Sequence, residues 1–341
     1  MQKERILRTK KPQDGSHKIY EIRKMTVIES IKNAKGPLFT FELLPPLKGH
    51  SIERIYTAID RLIEFQPAYI NFTTHRNETV YKERPDGLLE KKLVRLRPGT
   101  IALAAAVKYK YNIPVVPHVL CGGFTKEETE NVLIEMKFLG INDVLALRGD
   151  PQKGTRSFIP EKNGHTHTFE LIQQIADMNR GKYLEETLEN PEPSDFCIGV
   201  AGYPEKHFEA PNRHVDMQYL KKKIDAGAHY IVTQMFFDNN RFCRFRDECV
   251  KMGINVPVIP GIKPISALND IKLLPQTFHI DLPNDLFSAV QKCKTDSEAR
   301  EVGIEWATMQ SKELIKQGVP GIHYYTLGRS DNIARIVKAT F

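Results

Sequence analysis

With 341 residues, 41% of them hydrophobic and 27% charged, the chain can bury a sizeable core in one large domain or two ordinary ones, and it is too apolar to be disordered. No window approaches ~18 uninterrupted apolar residues, and the leading "MQKERILRTKKPQDG" has no apolar signal core, so a cytoplasmic protein with neither membrane span nor export is expected. The net charge is +7, but residues 1–35 hold ten Lys or Arg against four acids (+6), which leaves +1 for the rest; without a basic, aromatic-interleaved stripe, no nucleic-acid partner is expected.

In chain order, residues 1–35 read as a basic arm and helix, and residues 36–341 as one catalytic domain. Eight β-rich runs follow: "LFTFE" (38–42), "YINFT" (69–73), "VVPHV" (115–119), "DVLAL" (143–147), "CIGVAG" (197–202), "YIVTQM" (230–235), "PVIPGI" (257–262) and "IHYYTL" (322–327). Several are continuously apolar, which suits parallel strands covered on both faces. Amphipathic patterns between them predict helices over 52–64, 99–110, 126–139, 168–178, 216–226, 239–252, 266–273 and 297–317. Thr125 and Glu128 form a capping box, and Gly140, Gly227, Gly253 and Gly318 fall where helices should stop. Two polar stretches, 75–98 and 179–196, read as loop-like insertions.

Eight alternating strands and helices predict an α/β fold, a (β/α)8 TIM barrel with an N-terminal helical and basic extension. The competing doubly wound sheet lacks support, because no G-x-G-x-x-G follows the first strand. The five cysteines are scattered without a C-x-x-C pair, and His165 and His167 in "NGHTHT" lack a third ligand, so free thiols and no metal are expected.

Barrel chemistry sits at the carboxyl ends of the strands. Those ends carry Glu42, then Thr73, Thr74 and His75, His118, Arg148 with Gly149 and Asp150, Tyr203 and His207, Gln234, Lys263 and Arg329. Glu42 lies between Phe41 and Leu43 and two residues before a double proline; it is either a strand-mouth acid with a covered stem or a carboxyl whose apolar setting raises its pKa for proton donation. "LRGDP" is either a loop-closing Arg148–Asp150 pair or a ligand-facing turn, and Lys222 and Lys223 are either solvated lysines or anion ligands. Gln234 ends an apolar strand and suits reading a heterocycle edge. Lys263 leaves open a Schiff-base enzyme.

The set "FELLPP", "INFTTH", "VPHVLC", "LALRGDP", "VAGYPEKHFEA", "DAGAHYIVTQMFFD", "VIPGIKPI" and "HYYTLGR", in order from about residue 36 to 337, resembles methylenetetrahydrofolate reductase, in the form of a bacterial-type catalytic domain. That resemblance implies a TIM barrel that binds FAD and reduces 5,10-methylenetetrahydrofolate to 5-methyltetrahydrofolate with NADH or NADPH by a ping-pong cycle, for methionine synthesis. It implies FAD contacts at Thr73, His118, Arg148, Gly149, Asp150, Tyr203, His207, Ala210, Asp216, Lys222 and Lys223, and folate contacts at Gln234 and Arg329. Glu42 falls at the acid that protonates folate N10, and Asp150 beside both flavin and folate. Tyr219 stands where some members carry Asn, Lys222 where they carry Arg, and Leu274 where an aromatic covers the nicotinamide. A homo-oligomer is expected, folate polyglutamates fit as substrates, and a partner or ferredoxin is the alternative electron source.

Overall fold

A computed structural model describes residues 25–341 apart from 98, 153, 154, 156 and 327. Most of the expected basic arm, residues 1–24, lies outside the described residues; its last part forms α1 (Val27–Asn33), capped by a Thr26–Glu29 capping box.

The parallel strands are β1 (Leu38–Leu43), β2 (Ile70–Phe72), β5 (Val115–Leu120), β6 (Asp143–Leu147), β7 (Cys197–Gly202), β8 (Tyr230–Thr233), β9 (Val258–Ile259), β10 (Gly261–Ile262) and β11 (Gly321–Tyr325), in the order β10-β11-β1-β2-β5-β6-β7-β8-β9. β9 pairs with β8 and β10 with β11, and only Pro260 separates them. Proline has no N–H to give a ladder, but its carbonyl accepts the His323 N–H at 2.9 Å. Residues 258–262 thus act as one broken strand that closes the ring, and the (β/α)8 expectation holds.

Helices α2 (Glu53–Asp60), α3 (Thr100–Tyr111), α4 (Lys126–Phe138), α5 (Thr168–Met178), α6 (Arg213–Asp225), α7 (Asn239–Lys251), α8 (Asp270–Phe278), α9 (Asn284–Gln291), α10 (Asp296–Lys316) and α11 (Ser330–Thr340) complete the fold. Strand alternation divides the core. Phe39, Phe41 and Leu43 of β1 join the large cluster shared with the helices, whereas Tyr69, Val116, Leu145, Cys197, Tyr230 and Ile259 gather around Val27 of α1 in a second one. Val27 also donates its N–H to Asp143 Oδ1 at 2.9 Å, so α1 is fixed against the amino end of β6.

Three expectations shift. Residues 75–98 are not a plain loop: β3 (Glu78–Glu83) and β4 (Leu89–Val94) pair as an antiparallel hairpin around Pro85-Asp86-Gly87. Both strands face solvent, so no apolar alternation marks them. α8 starts at Asp270 rather than 266, because the Asp270 carboxylate accepts the Ser266 and Ala267 N–H groups just before it, and it continues through Pro275. α6 starts at Arg213, with Asn212 accepting the Val215 N–H at 2.9 Å, which puts Asp216 in the first turn. α9 and α11 add two helices beyond those read from the pattern, and residues 179–196 carry neither helix nor strand.

Candidate active site

The strand mouths open into a cleft of about 920 Å³. Alternation places Glu42 on the opposite face of β1 from Phe41 and Leu43, and only 7% of it is exposed. Its Oε2 lies 3.3 Å from His118 Nε2. His118 belongs to β5, with β2 between it and β1, so this contact spans the barrel interior. Burial pushes the Glu42 carboxyl up to about 8. Burial, followed by the charges of His323 and His75, pushes His118 down to about 3. At neutral pH the two are therefore an uncharged pair rather than a salt bridge, and a protonated Glu42 donates to an unprotonated Nε2. Asn71 Nδ2 lies 3.4 Å from the same nitrogen.

The loop after Glu42 is anchored from two sides. Thr326 Oγ1 donates to the Glu42 carbonyl at 2.7 Å. Lys48 N–H donates to the Leu96 carbonyl at 2.9 Å, and Arg97 donates to the Pro45 carbonyl, which ties the double-proline turn to the return arm of the hairpin.

Positive charge lines the adjoining wall. Arg148 pairs with Glu209 and lies 4.9 Å over the Phe158 ring, while Glu209 Oε1 accepts the Phe158 N–H at 3.2 Å. Lys223 of α6 donates to the Ala201 carbonyl at 3.0 Å, and burial lowers its ammonium to about 8 against the opposing pull of Asp216. Asp216 accepts the His207 N–H at 3.2 Å. Burial, with Arg148 and Lys223 nearby, takes His207 down to about 4, and its ring meets Tyr203 edge-on at 4.7 Å. Gly149 at φ +86° occupies the left-handed region that favours glycine.

Of the residues singled out in the sequence, Glu42, Thr73, His118, Arg148, Gly149, Asp150, Tyr203, His207, Ala210, Asp216, Lys223 and Gln234 line this one cleft. Lys222 and Arg329 do not. The Lys222 ammonium rides over the rings of Phe169 and Tyr219 at its edge, and Arg329 Nη1 donates to the Ser266 carbonyl at 3.1 Å. Lys263 is buried and donates to Pro264 O at 2.7 Å and Ser266 Oγ at 3.3 Å, away from the cleft lining, which removes the geometric support for a Schiff-base lysine. Leu274 is buried in the cluster of Met235 and Ile265, and Phe278, one turn later on α8, lines the cleft instead. Arg76, His167, Phe169, Glu209 and Tyr325 also line it. The first four come from loops, the start of α5 and the hairpin base, where no periodic signal marks them, whereas Tyr325 ends β11, inside a run read as a strand. Among the described residues, no group of three or more His, Cys, Asp or Glu is placed to hold a metal.

A family model described as methylenetetrahydrofolate reductase matches residues 27–340. The chain belongs to that family. Among methylenetetrahydrofolate reductases, the enzyme named methylenetetrahydrofolate reductase (NADH) 1 from Arabidopsis thaliana is 30% identical over 316 residues, covering 89% of this chain and 48% of the plant protein. The 5,10-methylenetetrahydrofolate reductase of Escherichia coli K12 is 29% identical over 305 residues, covering 89% of this chain and 90% of that one. A probable NADPH-type reductase from Caenorhabditis elegans is 29% identical, with 92% of this chain and 43% of that protein covered. The chain thus spans about half the length of the plant and nematode relatives and most of the bacterial one. An uncharacterized Clostridium thermocellum protein that binds two copies of 5-methyl-5,6,7,8-tetrahydrofolic acid superposes with a TM-score of 0.53 over 92% of this chain and 98% of its own, at 13% identity, and so supports the fold alone.

Proposed function

We propose that this member of the methylenetetrahydrofolate reductase family reduces 5,10-methylenetetrahydrofolate to 5-methyltetrahydrofolate with FAD as cofactor, NADH or NADPH as donor and Glu42 as the acid. The observation that carries the reading is the buried, uncharged Glu42–His118 pair at the cleft floor.

The residues present fit FAD. The cleft carries Arg148 and Lys223 on one wall and the first turn of α6 beside them, and Arg76 Nη1 is a buried donor with no partner. Such donors suit a diphosphate. Bound there, FAD would supply a hydride carrier that takes hydride from the nicotinamide and gives it to the folate methylene carbon.

That carbon is unreactive while it bridges folate N5 and N10. Proton transfer from Glu42 Oε2 to N10 breaks the carbon–N10 bond and leaves an iminium cation at N5, which accepts hydride to become the methyl group. Glu42 suits this step because its apolar setting keeps it protonated near neutral pH, and the carboxylate it leaves behind stabilises the adjacent cation. Asp150 adds a second carboxylate on the cleft lining. Gln234, half-buried on the cleft lining, accepts the Met235 N–H on its Oε1 at 2.9 Å, which orients the amide and leaves its Nε2 to donate to an acceptor edge of the pterin. Tyr325 is held in place by donating its O–H to the Thr233 carbonyl at 2.7 Å.

The test is to purify the protein and add NADH, NADPH or a reduced ferredoxin with methylenetetrahydrofolate. A yellow protein that forms 5-methyltetrahydrofolate with a nicotinamide donor supports the reading. A colourless protein that takes up no FAD, or activity with ferredoxin alone, contradicts it.

A further inference from the structure

Beneath the Glu42–His118 pair lies a polar side chain that the proton step leaves unused. Ile70 and Phe72 of β2 face the helical layer, so alternation turns Asn71 into the barrel interior, where it is fully buried. β2 runs between β1 and β5, and Asn71 is the register partner of Glu42. The interior positions Val116, Leu145 and Val232 on neighbouring strands are apolar, as the interior of such a barrel usually is. A buried amide in that company costs stability unless it is bonded. Yet Asn71 Oδ1 has no hydrogen-bond partner among the described residues, and Nδ2 meets His118 Nε2 at 3.4 Å, longer than an ordinary hydrogen bond.

The long contact has a reason in the lone pair it addresses. An unprotonated imidazole nitrogen offers a single acceptor site, and Glu42 Oε2, 3.3 Å away, already directs its proton there. Once that proton passes to the substrate, a carboxylate oxygen and a bare nitrogen face each other, two buried acceptors with no hydrogen between them. The Asn71 amide is a donor within reach. Its Oδ1 is bound to nothing and the terminal torsion of asparagine is soft, so the amide can turn toward Nε2 at little cost.

We infer that Asn71 is a positioning residue for the proton step: its amide takes over His118 Nε2 as Glu42 releases its proton, which keeps the imidazole in place and lowers the cost of the carboxylate. The inference rests on Glu42 being the acid. The titratable groups that act on the pair are His75 after β2 and His323 and Tyr325 on β11. Burial lowers both histidines, His323 to about 3, and raises the tyrosine, so none of them changes charge near pH 8.

Asn71→Leu nearly keeps the size and removes the donor. In single-turnover folate reduction by pre-reduced protein, its rate at pH 7 is expected to fall about tenfold and its pH break to move up by about one unit, each equivalent to ~1.4 kcal/mol, while flavin reduction by NADH stays at the wild-type rate. The direction separates this role from lost packing, because a cavity admits water and moves the break down. Asn71→Val, suited to a strand and equally without a donor, should give the same shift. In a His118→Ala background neither substitution should move the break further. Matching melting temperatures exclude unfolding as the cause. Equal slowing of both half-reactions, a break that stays or falls, or a further shift without His118 overturns the role of Asn71 and leaves Glu42 as the acid. A wild-type folate step with no break near pH 8 overturns the acid reading first.

Discussion

Glu42 owes its acidity to its neighbours. Phe41 and Leu43 turn outward into the helical layer, so the carboxyl must turn inward, against a histidine that burial keeps neutral. Removing that histidine tests the dependence. His118→Ala opens space for water beside the carboxyl, so the pH at which folate reduction falls should move from about 8 toward the ordinary carboxylate range, read from single-turnover rates across pH. An unmoved break would mean that His118 does not control the site. The sequence exposes Glu42 as an acid in an apolar run, and His118 as a polar strand end, but not their pairing. The two meet only because β2 separates their strands in a closed ring, and that register is not written locally. Lys263 misleads for the same reason: a strand end shows where a residue lies, not whether its tip is already bonded to Pro264 and Ser266.

Elements are legible where their termini carry chemistry. The Thr125–Glu128 capping box forms as read, with the Glu128 N–H reaching Thr125 Oγ1 at 3.1 Å and the Thr125 N–H reaching Glu128 Oε2 at 2.8 Å. Thr125→Ala should cost about 1 kcal/mol in urea unfolding and leave FAD affinity unchanged. The hairpin is hidden because both its faces are wet, whereas α8 is legible as a helix but read short, ending at 273, because Pro275 looks like a stop. Packing between elements is less visible still. Gly303 on α10 sits against the backbone of Ile265, where a Cβ would collide. Gly303→Ala should therefore destabilise by about 1–3 kcal/mol.

At the scale of the molecule, the barrel closes through a strand broken at Pro260 and is fixed at its amino end by α1, while its carboxyl end holds the proton. The arrangement has a cost in stability as pH rises. Burial raises Glu42 to about 8 and Asp143 to about 7, so the native state binds these protons more tightly than the unfolded chain does. Their stabilisation is present in full below the ordinary carboxylate range and is lost progressively as pH rises through 7 to 8. Glu42→Gln removes one of the two, so its stability should fall less than that of the wild type between pH 5 and pH 9 in urea titrations. The most direct measurement of the central claim is stopped-flow of the two half-reactions in Glu42→Gln and wild type. Glu42→Gln should keep its flavin reducible by NADH at the wild-type rate and lose folate reduction by about 10²–10⁴-fold, with the wild-type folate step falling above about pH 8. Equal losses in both half-reactions would show that Glu42 only shapes the site, and would contradict its role as the acid.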